Sequence, residues 1–521
     1  MILRSFVGGQ WMEPQGEGQP LYDAVTGAEL ARASSDGIDV PAALAHARSQ
    51  GGPALRSLTF HERASLLKAL AQFLRGHRPE LYDLSHHAGA TVADARMDVD
   101  GGIGVLLSYA SRAVRDLPDD TVLVEGDVEP LGRAGHFVGQ HLLASRPGVA
   151  IQINAFNFPV WGPLEKLAPA LLAGLPTIIK PATATAFITV KLMELLLEAN
   201  VLPDGALQLV CGRGSGLWEH LGEQDAVAFT GSAATARQLA AALAAHSPGA
   251  RFQAETDSLN CSILGPDATP GTPEFDLYVA QLVAEMTAKA GQKCTAIRRA
   301  LVPSNQVEAV VEAVRARLAE VVVGDPADPA TTMGPLVSQA QREEVRRQVS
   351  ALRAAGSLVV GDPDHAAVAG ADGERGAFLS PLLLTAGADR PEPHTIEAFG
   401  PVSTVMGYRG AAHAIEVAAR GRGSLAASVV TADAPFARTV VRGLAPWHGR
   451  LLVLDREAAT ESTGHGSPLP MLVHGGPGRA GGGEELGGMR SVLHHLQRTA
   501  LQASPQLLAA VVGTSADPPA P

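Results

Sequence analysis

The sequence predicts an α/β protein made of two doubly wound parallel-sheet units and a β arm. Three observations carry this reading. Between about 147 and 254, short apolar runs alternate with helical patterns across short connections. A second alternating series begins near 260. Residues 119–146 fit neither series: they are short extended runs split by glycines, the pattern of a projecting hairpin. Strand–helix alternation implies parallel strands joined by crossover helices.

The elements follow in order. "GVAIQIN" (148–154) reads as a buried strand, and "GPLEKLAPALLAG" (162–174) as a helix ending on glycine. "PTIIK" (176–180) is a strand stopped by Pro181, followed by a helix over 186–200. Strands at 206–210 and 226–229 and a helix over 233–246 complete the first series. In the second, a long helix over 275–291 ends on Gly291, just before Cys294. A strand at 298–303 and a helix over 306–321 come next. Residues 489–512 mix apolar and basic residues after a glycine-rich run; like 119–146, they suit a subunit contact or ordinary surface packing.

Composition narrows the classes. Of 521 residues, 46% are hydrophobic and 18% charged, enough apolar material for large cores. The net charge of −12 argues against a nucleic-acid binder, which normally shows a basic face. Three scattered cysteines give neither a disulfide framework nor a metal-ligand spacing. The N-terminus lacks the apolar stretch of a signal peptide, and no run is long enough to span a bilayer. The expectation is a cytoplasmic protein with no membrane, nucleic-acid or metal partner.

Cys294 lies in "AGQKCTA", among small neighbours that leave a thiol reachable. A free cysteine is more often a small buried hydrophobe, but a thiolate nucleophile needs such access. Glu255, in "FQAETDSLN", follows a predicted strand. It is either a solvated strand end or a carboxylate facing a cleft, able to act as a general base. Asn157, in "INAFNFP", is a turn former or an amide aimed at an oxyanion. Lys180 ends a strand, where a nucleotide's ribose or phosphate would lie. Gly231 and Ser232, in "FTGS", either cap a helix or meet a phosphate. The run "HGGPGRAGGGEELGG" (474–488) is a linker or a backbone-shaped wall of a site. His494, His495 and "WHGR" (447–450) read as structural.

Taken together, these pieces resemble the aldehyde dehydrogenase superfamily, in order and over nearly the whole chain. "FVGGQW", "NFP", "KPA", "FTGS", Glu255, "GQKCTA", "GDPADPATTMGPLVS", "GAFLSPLLL" and "EAFGPV" occur in that family's sequence. The resemblance implies Cys294 as nucleophile, Glu255 as base and Asn157 as oxyanion donor. It places Phe156, Lys180, Thr183, Arg213, Gly231, Ser232, Glu397 and Phe399 around the cofactor. It implies a cofactor-binding unit of 1–118, 147–254 and 447–488, and a catalytic unit of 255–446. The oligomerisation arm is then 119–146 with 489–512, and 513–521 a disordered tail. A homodimer or larger homo-oligomer follows from the arm.

Two departures narrow the branch. Where most of the superfamily has Leu-Gly-Gly after the base, this chain has "TDS" (256–258), and "PLPMLVHGGPGRAGGGEELGG" replaces the usual Pro-Phe-Gly-Gly ending. That ending resembles the branch acting on CoA-linked semialdehydes of aerobic aromatic-acid breakdown, and within it a stand-alone enzyme without an added hydratase domain. Many NAD-preferring relatives carry a glutamate where this chain has Thr183. NADP⁺ is therefore the expected cofactor, with NAD⁺ less favoured. Other readings are a free semialdehyde, a longer phenylacetate-derived CoA semialdehyde, or a non-catalytic protein reusing the fold.

Overall fold

The computed structural model describes residues 1–214, 216–482 and 487–513. Two seven-stranded sheets dominate it, as the alternation predicts. In the first, the strands run in the order 251–255, 226–230, 150–153, 177–180, 207–209, 5–7 and 10–12. The first five are parallel, and the last two join antiparallel. From strand Ala150–Ile153 the chain builds one way through 177–180 and 207–209. It then returns to the other side for 226–230 and 251–255. The reversal opens a crevice beyond the carboxyl ends of 150–153 and 226–230, the usual place for a ligand in such sheets. Apolar runs buried on both faces drive this: Ile151, Ile178, Ile179, Val227 and Leu209 are almost fully covered.

The second sheet is ordered 356–360, 382–386, 402–408, 299–303, 261–264, 424–430 and 448–454. Here one expectation is corrected. The resemblance places residues 447–488 in the cofactor unit, but strand His448–Leu454 pairs in parallel with Ser424–Val430 in this second sheet. The helix Ala434–Leu444 between them makes an ordinary crossover connection, so the apolar "RLLVL" run extends the sheet it follows. A third sheet, of strands 122–130, 138–145 and 496–503, forms the arm.

The helix Pro273–Thr287 stops four residues before the predicted end. Lys289 and Ala290 then take left-handed backbone angles, with φ of 52° and 50°. Asp94 Oδ1 accepts from the Lys289 N–H at 2.8 Å and helps to fix the turn. Of the predicted tail, 514–521 lies outside the described residues, as do 483–486 of the glycine-rich run. Among the described residues no helix is long and apolar enough to cross a membrane.

Candidate active site

Cys294 sits on the turn between helix 273–287 and strand 299–303. Gly291 lets the turn form: its φ is +68°, and a Cβ there would lie 2.1 Å from the Gly400 carbonyl oxygen. Asn260 Nδ2 donates to the carbonyls of Cys294 (2.8 Å) and Ala296 (3.0 Å). Arg298 donates to those of Gly291 and Gly400. The thiol is thus held by a buried polar frame that leaves the Cys294 N–H without a partner among the described residues.

Glu255 ends strand Arg251–Glu255. The three residues that depart from the family pattern tie this strand end down. The Thr256 hydroxyl donates to the Arg479 carbonyl at 2.6 Å, Asp257 accepts from the Ala233 N–H, and the Ser258 N–H donates to Glu397 at 3.0 Å. Asn157 lies just past strand 150–153, at the crevice. Its side chain makes no hydrogen bond to the described residues, although it is only 8% exposed. Its amide is free to meet a ligand.

Two cavities meet at these residues. One, of about 650 Å³, is lined by Phe158, Trp161, Glu165, Lys166 and His474 among others. The other, of about 1870 Å³, lies over the crevice of the first sheet. Asn157, Glu255 and Cys294 border both. Phe156, Lys180, Gly231, Ser232, Glu397 and Phe399 all line the larger one. Phe156 and Phe399 stand edge to face there, centroids 5.7 Å apart. Ser232 accepts from the Thr235 N–H at 3.2 Å, so it caps helix Ala233–His246 while lining the cleft. Thr183 and Arg213 are not among its lining residues. Arg213 is exposed, with its guanidinium beside the Gln19 side-chain amide.

The charges of the smaller cavity were not foreseen. His474, from the glycine-rich run, stands between two carboxylates: Nδ1 is 2.7 Å from Glu165 Oε1, and Nε2 is 2.9 Å from Glu255 Oε2. The second approach lies off the line of the ring N–H. Burial opposes the charged form of His474, but Glu165 and Glu255 outweigh it and raise the imidazole to about 9. Burial likewise opposes the Glu255 carboxylate, yet His474 and then Lys166 hold it below the usual range. Cys294 moves the other way. Burial, then the neighbouring Glu255, raise its thiol well above the ordinary value. The resting site therefore pairs a neutral thiol with a carboxylate kept ionised by an imidazolium.

Glu165 and Lys166 reach the cavity because helix Trp161–Leu172 starts beside it. That helix has no cap of its own; Asp98, from the helix Val92–Asp116, accepts from the Trp161 N–H at 2.7 Å. A signal for the pair did exist, since "GPLEKLAPALLAG" interrupts an apolar helix with adjacent charges. His474 had no comparable mark. His495 bonds the Ser491 carbonyl and His448 the Leu444 carbonyl, each within its own turn.

A reachable thiol, a poised carboxylate and a free amide at the mouth of a dinucleotide-type crevice define a cysteine-dependent oxidoreductase site. The aldehyde dehydrogenase family profile matches residues 11–461, and the chain belongs to that family. It is 47% identical over 481 residues to 3,4-dehydroadipyl-CoA semialdehyde dehydrogenase of Aromatoleum evansii, covering 92% of this chain and 93% of that one. It is 51% identical to Protein MaoC of Klebsiella aerogenes over 183 residues, 34% of this chain and 52% of that one. The fold matches PnpE from Pseudomonas sp. WBC-3 with a TM-score of 0.83, at 24% identity over 97% and 98% of the two chains. Betaine aldehyde dehydrogenase from Staphylococcus aureus, solved with NAD⁺, gives 0.83 at 23% identity over 96% and 97%. The protein is an aldehyde dehydrogenase, an oxidoreductase acting on aldehydes.

Proposed function

We propose that this enzyme oxidises a CoA-linked semialdehyde, 3,4-dehydroadipyl-CoA semialdehyde, to the acid in aerobic benzoyl-CoA breakdown, with NADP⁺ as preferred cofactor. The observation that carries the chemistry is the shared border: Asn157, Glu255 and Cys294 all line both cavities, at the place where a reacting carbon would have to sit. The substrate assignment draws on the similarity to the Aromatoleum evansii enzyme and on the divergent "TDS" and glycine-rich segments.

Cys294 gives its thiol proton to the adjacent Glu255 carboxylate as sulfur attacks the aldehyde carbon. The resulting oxyanion is met by the Asn157 amide and the Cys294 N–H, and losing one such donor costs roughly a hundred- to a thousand-fold in rate. Bound in the larger cleft, a nicotinamide would accept the hydride that leaves the thiohemiacetal carbon, and the adduct on Cys294 would thereby become a thioester. Lys180 and the Gly231–Ser232 turn suit its phosphate-bearing half, and Glu397 and Phe399 its nicotinamide end. Glu255 passes the thiol proton on to solvent, and the restored carboxylate then takes a proton from water, which attacks the Cys294 thioester and releases the acid. A carboxylate base suits water as acceptor, which supports reading CoA as a part of the substrate and not as the group that receives the acyl chain.

The NADP⁺ preference is electrostatic. A carboxylate at position 183 would repel a 2′-phosphate by roughly 4 kcal/mol at about 4 Å and an effective dielectric near 20. Thr183 removes that repulsion, and Lys180 adds positive charge. The arm is read as the contact of at least a dimer, and the enzyme as cytoplasmic. The test is steady-state kinetics on the CoA-linked and free semialdehydes with each cofactor. Higher kcat/KM for the CoA-linked substrate with NADP⁺ supports the reading; preference for a free aldehyde or for NAD⁺ contradicts the corresponding part.

A further inference from the structure

The two donors assigned to the oxyanion sit on separate segments. Asn157 lies just before helix Trp161–Leu172, and the Cys294 N–H lies on the turn after helix Pro273–Thr287. A third element, the helix Val92–Asp116, touches both segments. Asp94, Met97 and Asp98 share one face of it, three and four residues apart. Met97 lines the smaller cavity. Asp94 Oδ1 accepts from the Lys289 N–H at 2.8 Å. Asp98 accepts from the N–H groups of Val160 at 3.3 Å and Trp161 at 2.7 Å. Each aspartate therefore holds one of the two segments, and both are buried, where such bonds are stronger than in water. Gly101 and Gly102 let the helix come this close. A Cβ at 101 would lie 2.1 Å from Trp161 Cζ3, and one at 102 would lie 3.0 Å from Trp161 Cα.

Lys289 links the two segments directly. It sits on the Cys294 turn with a left-handed backbone, a conformation that a lysine keeps only where its surroundings over-determine it. Its Nζ lies 4.8 Å from the centroid of the Phe158 ring, and Phe158 is the residue after Asn157. Asp98, Lys289 and Asn157 border one small cavity of about 370 Å³. Burial raises the Asp98 carboxyl, and the Lys289 charge opposes that rise.

We propose that Asp98 and Lys289 are positioning residues for aldehyde oxidation: they set the Asn157 amide against the Cys294 N–H so that both meet one oxygen. They touch no substrate and act through Asn157. Donors held in place before the reaction stabilise developing charge without reorganising, so a small displacement costs rate and not cofactor binding. The inference rests on the reading of Asn157 as an oxyanion donor.

The test is a double-mutant cycle. Asp98→Asn and Lys289→Met, which nearly preserve side-chain volume, are each made alone and together with Asn157→Ala. The aldehyde is whichever of hexanal and adipyl-CoA semialdehyde wild type oxidises faster, and kcat/KM is measured at saturating NADP⁺, with cofactor KM followed in parallel. Each change alone is expected to lower kcat/KM about tenfold, and less than about twofold once Asn157 is alanine. Cofactor KM should stay within about twofold throughout. If Asp98→Asn does not fold, Lys289→Met carries the test, since it removes no backbone hydrogen bond. Equal losses in both backgrounds, or no loss in either, would overturn the inference and leave Asn157 as the donor. If Asn157→Ala itself keeps the wild-type kcat/KM, the oxyanion reading falls and the inference with it.

Discussion

The larger cleft and the smaller cavity meet at one cysteine but are built by different means. The cleft is a product of topology. The chain reverses direction beside strand 150–153, and whatever follows that strand and strand 226–230 faces the crevice. The smaller cavity is a product of convergence. Glu165 and Lys166 come from a helix, Glu255 from a strand end and His474 from a glycine-rich segment more than two hundred residues later. The first kind of site tolerates ordinary residues such as a capping serine. The second depends on each buried charge having its counter-charge.

Breaking the point where the two meet gives the largest effect. Cys294→Ala is expected to lower kcat by at least about a thousandfold while dinucleotide binding, followed by fluorescence, persists. Loss of binding as well would mean that the cysteine also shapes the cleft. Asn157→Ala is expected to cost roughly a hundred- to a thousand-fold in kcat, with little change in cofactor KM.

His474→Phe probes the substrate side alone. Without the imidazolium, the Glu255 carboxylate loses its main counter-charge and its pKa rises, so the acid limb of the kcat–pH profile moves to higher pH. The drop at neutral pH is about tenfold or more. An unmoved acid limb would show that Lys166 holds Glu255 by itself. Stability gives an independent reading. The folded pKa of His474 is raised to about 9, so its contribution is full below about 6.5 and disappears as pH rises through 9. Wild-type Tm should fall across that window more than the variant's.

Glu397 gives the smallest effect and sharpens the cofactor side. Burial raises its carboxyl to about 7, with Arg298 opposing. If the ionised form accepts from ribose hydroxyls, cofactor KM rises a few-fold as pH drops through 7, and Glu397→Gln flattens that dependence. A KM that is flat in wild type would remove Glu397 from the binding set.

This division explains what could be read in advance. Local patterns exposed the sheet units, Cys294 among small neighbours and Glu255 at a strand end, because strand–turn–helix order determines what reaches a crevice. The resemblance puts 447–488 in the cofactor unit, yet strand 448–454 pairs in the second sheet, since an apolar run does not name its pairing partner. His474 was invisible: its role depends on two acids brought to it only by folding, and its glycine neighbours read as loop. Asn260 and Arg298, which frame the Cys294 turn, lie on buried stretches where a polar residue gives no hint of which carbonyls it will meet.

The proposed mechanism requires that Cys294 become acylated and that Glu255 support water in releasing the acid. Mixing Glu255→Gln protein with adipyl-CoA semialdehyde and NADP⁺, quenching in acid and mapping peptides by mass spectrometry tests it directly. A near-stoichiometric acyl mass is expected on the peptide containing Cys294, matched by one equivalent of NADPH that forms more slowly than in wild type, since the glutamine cannot take the thiol proton. Continued turnover with no adduct, or an adduct on another residue, would contradict it.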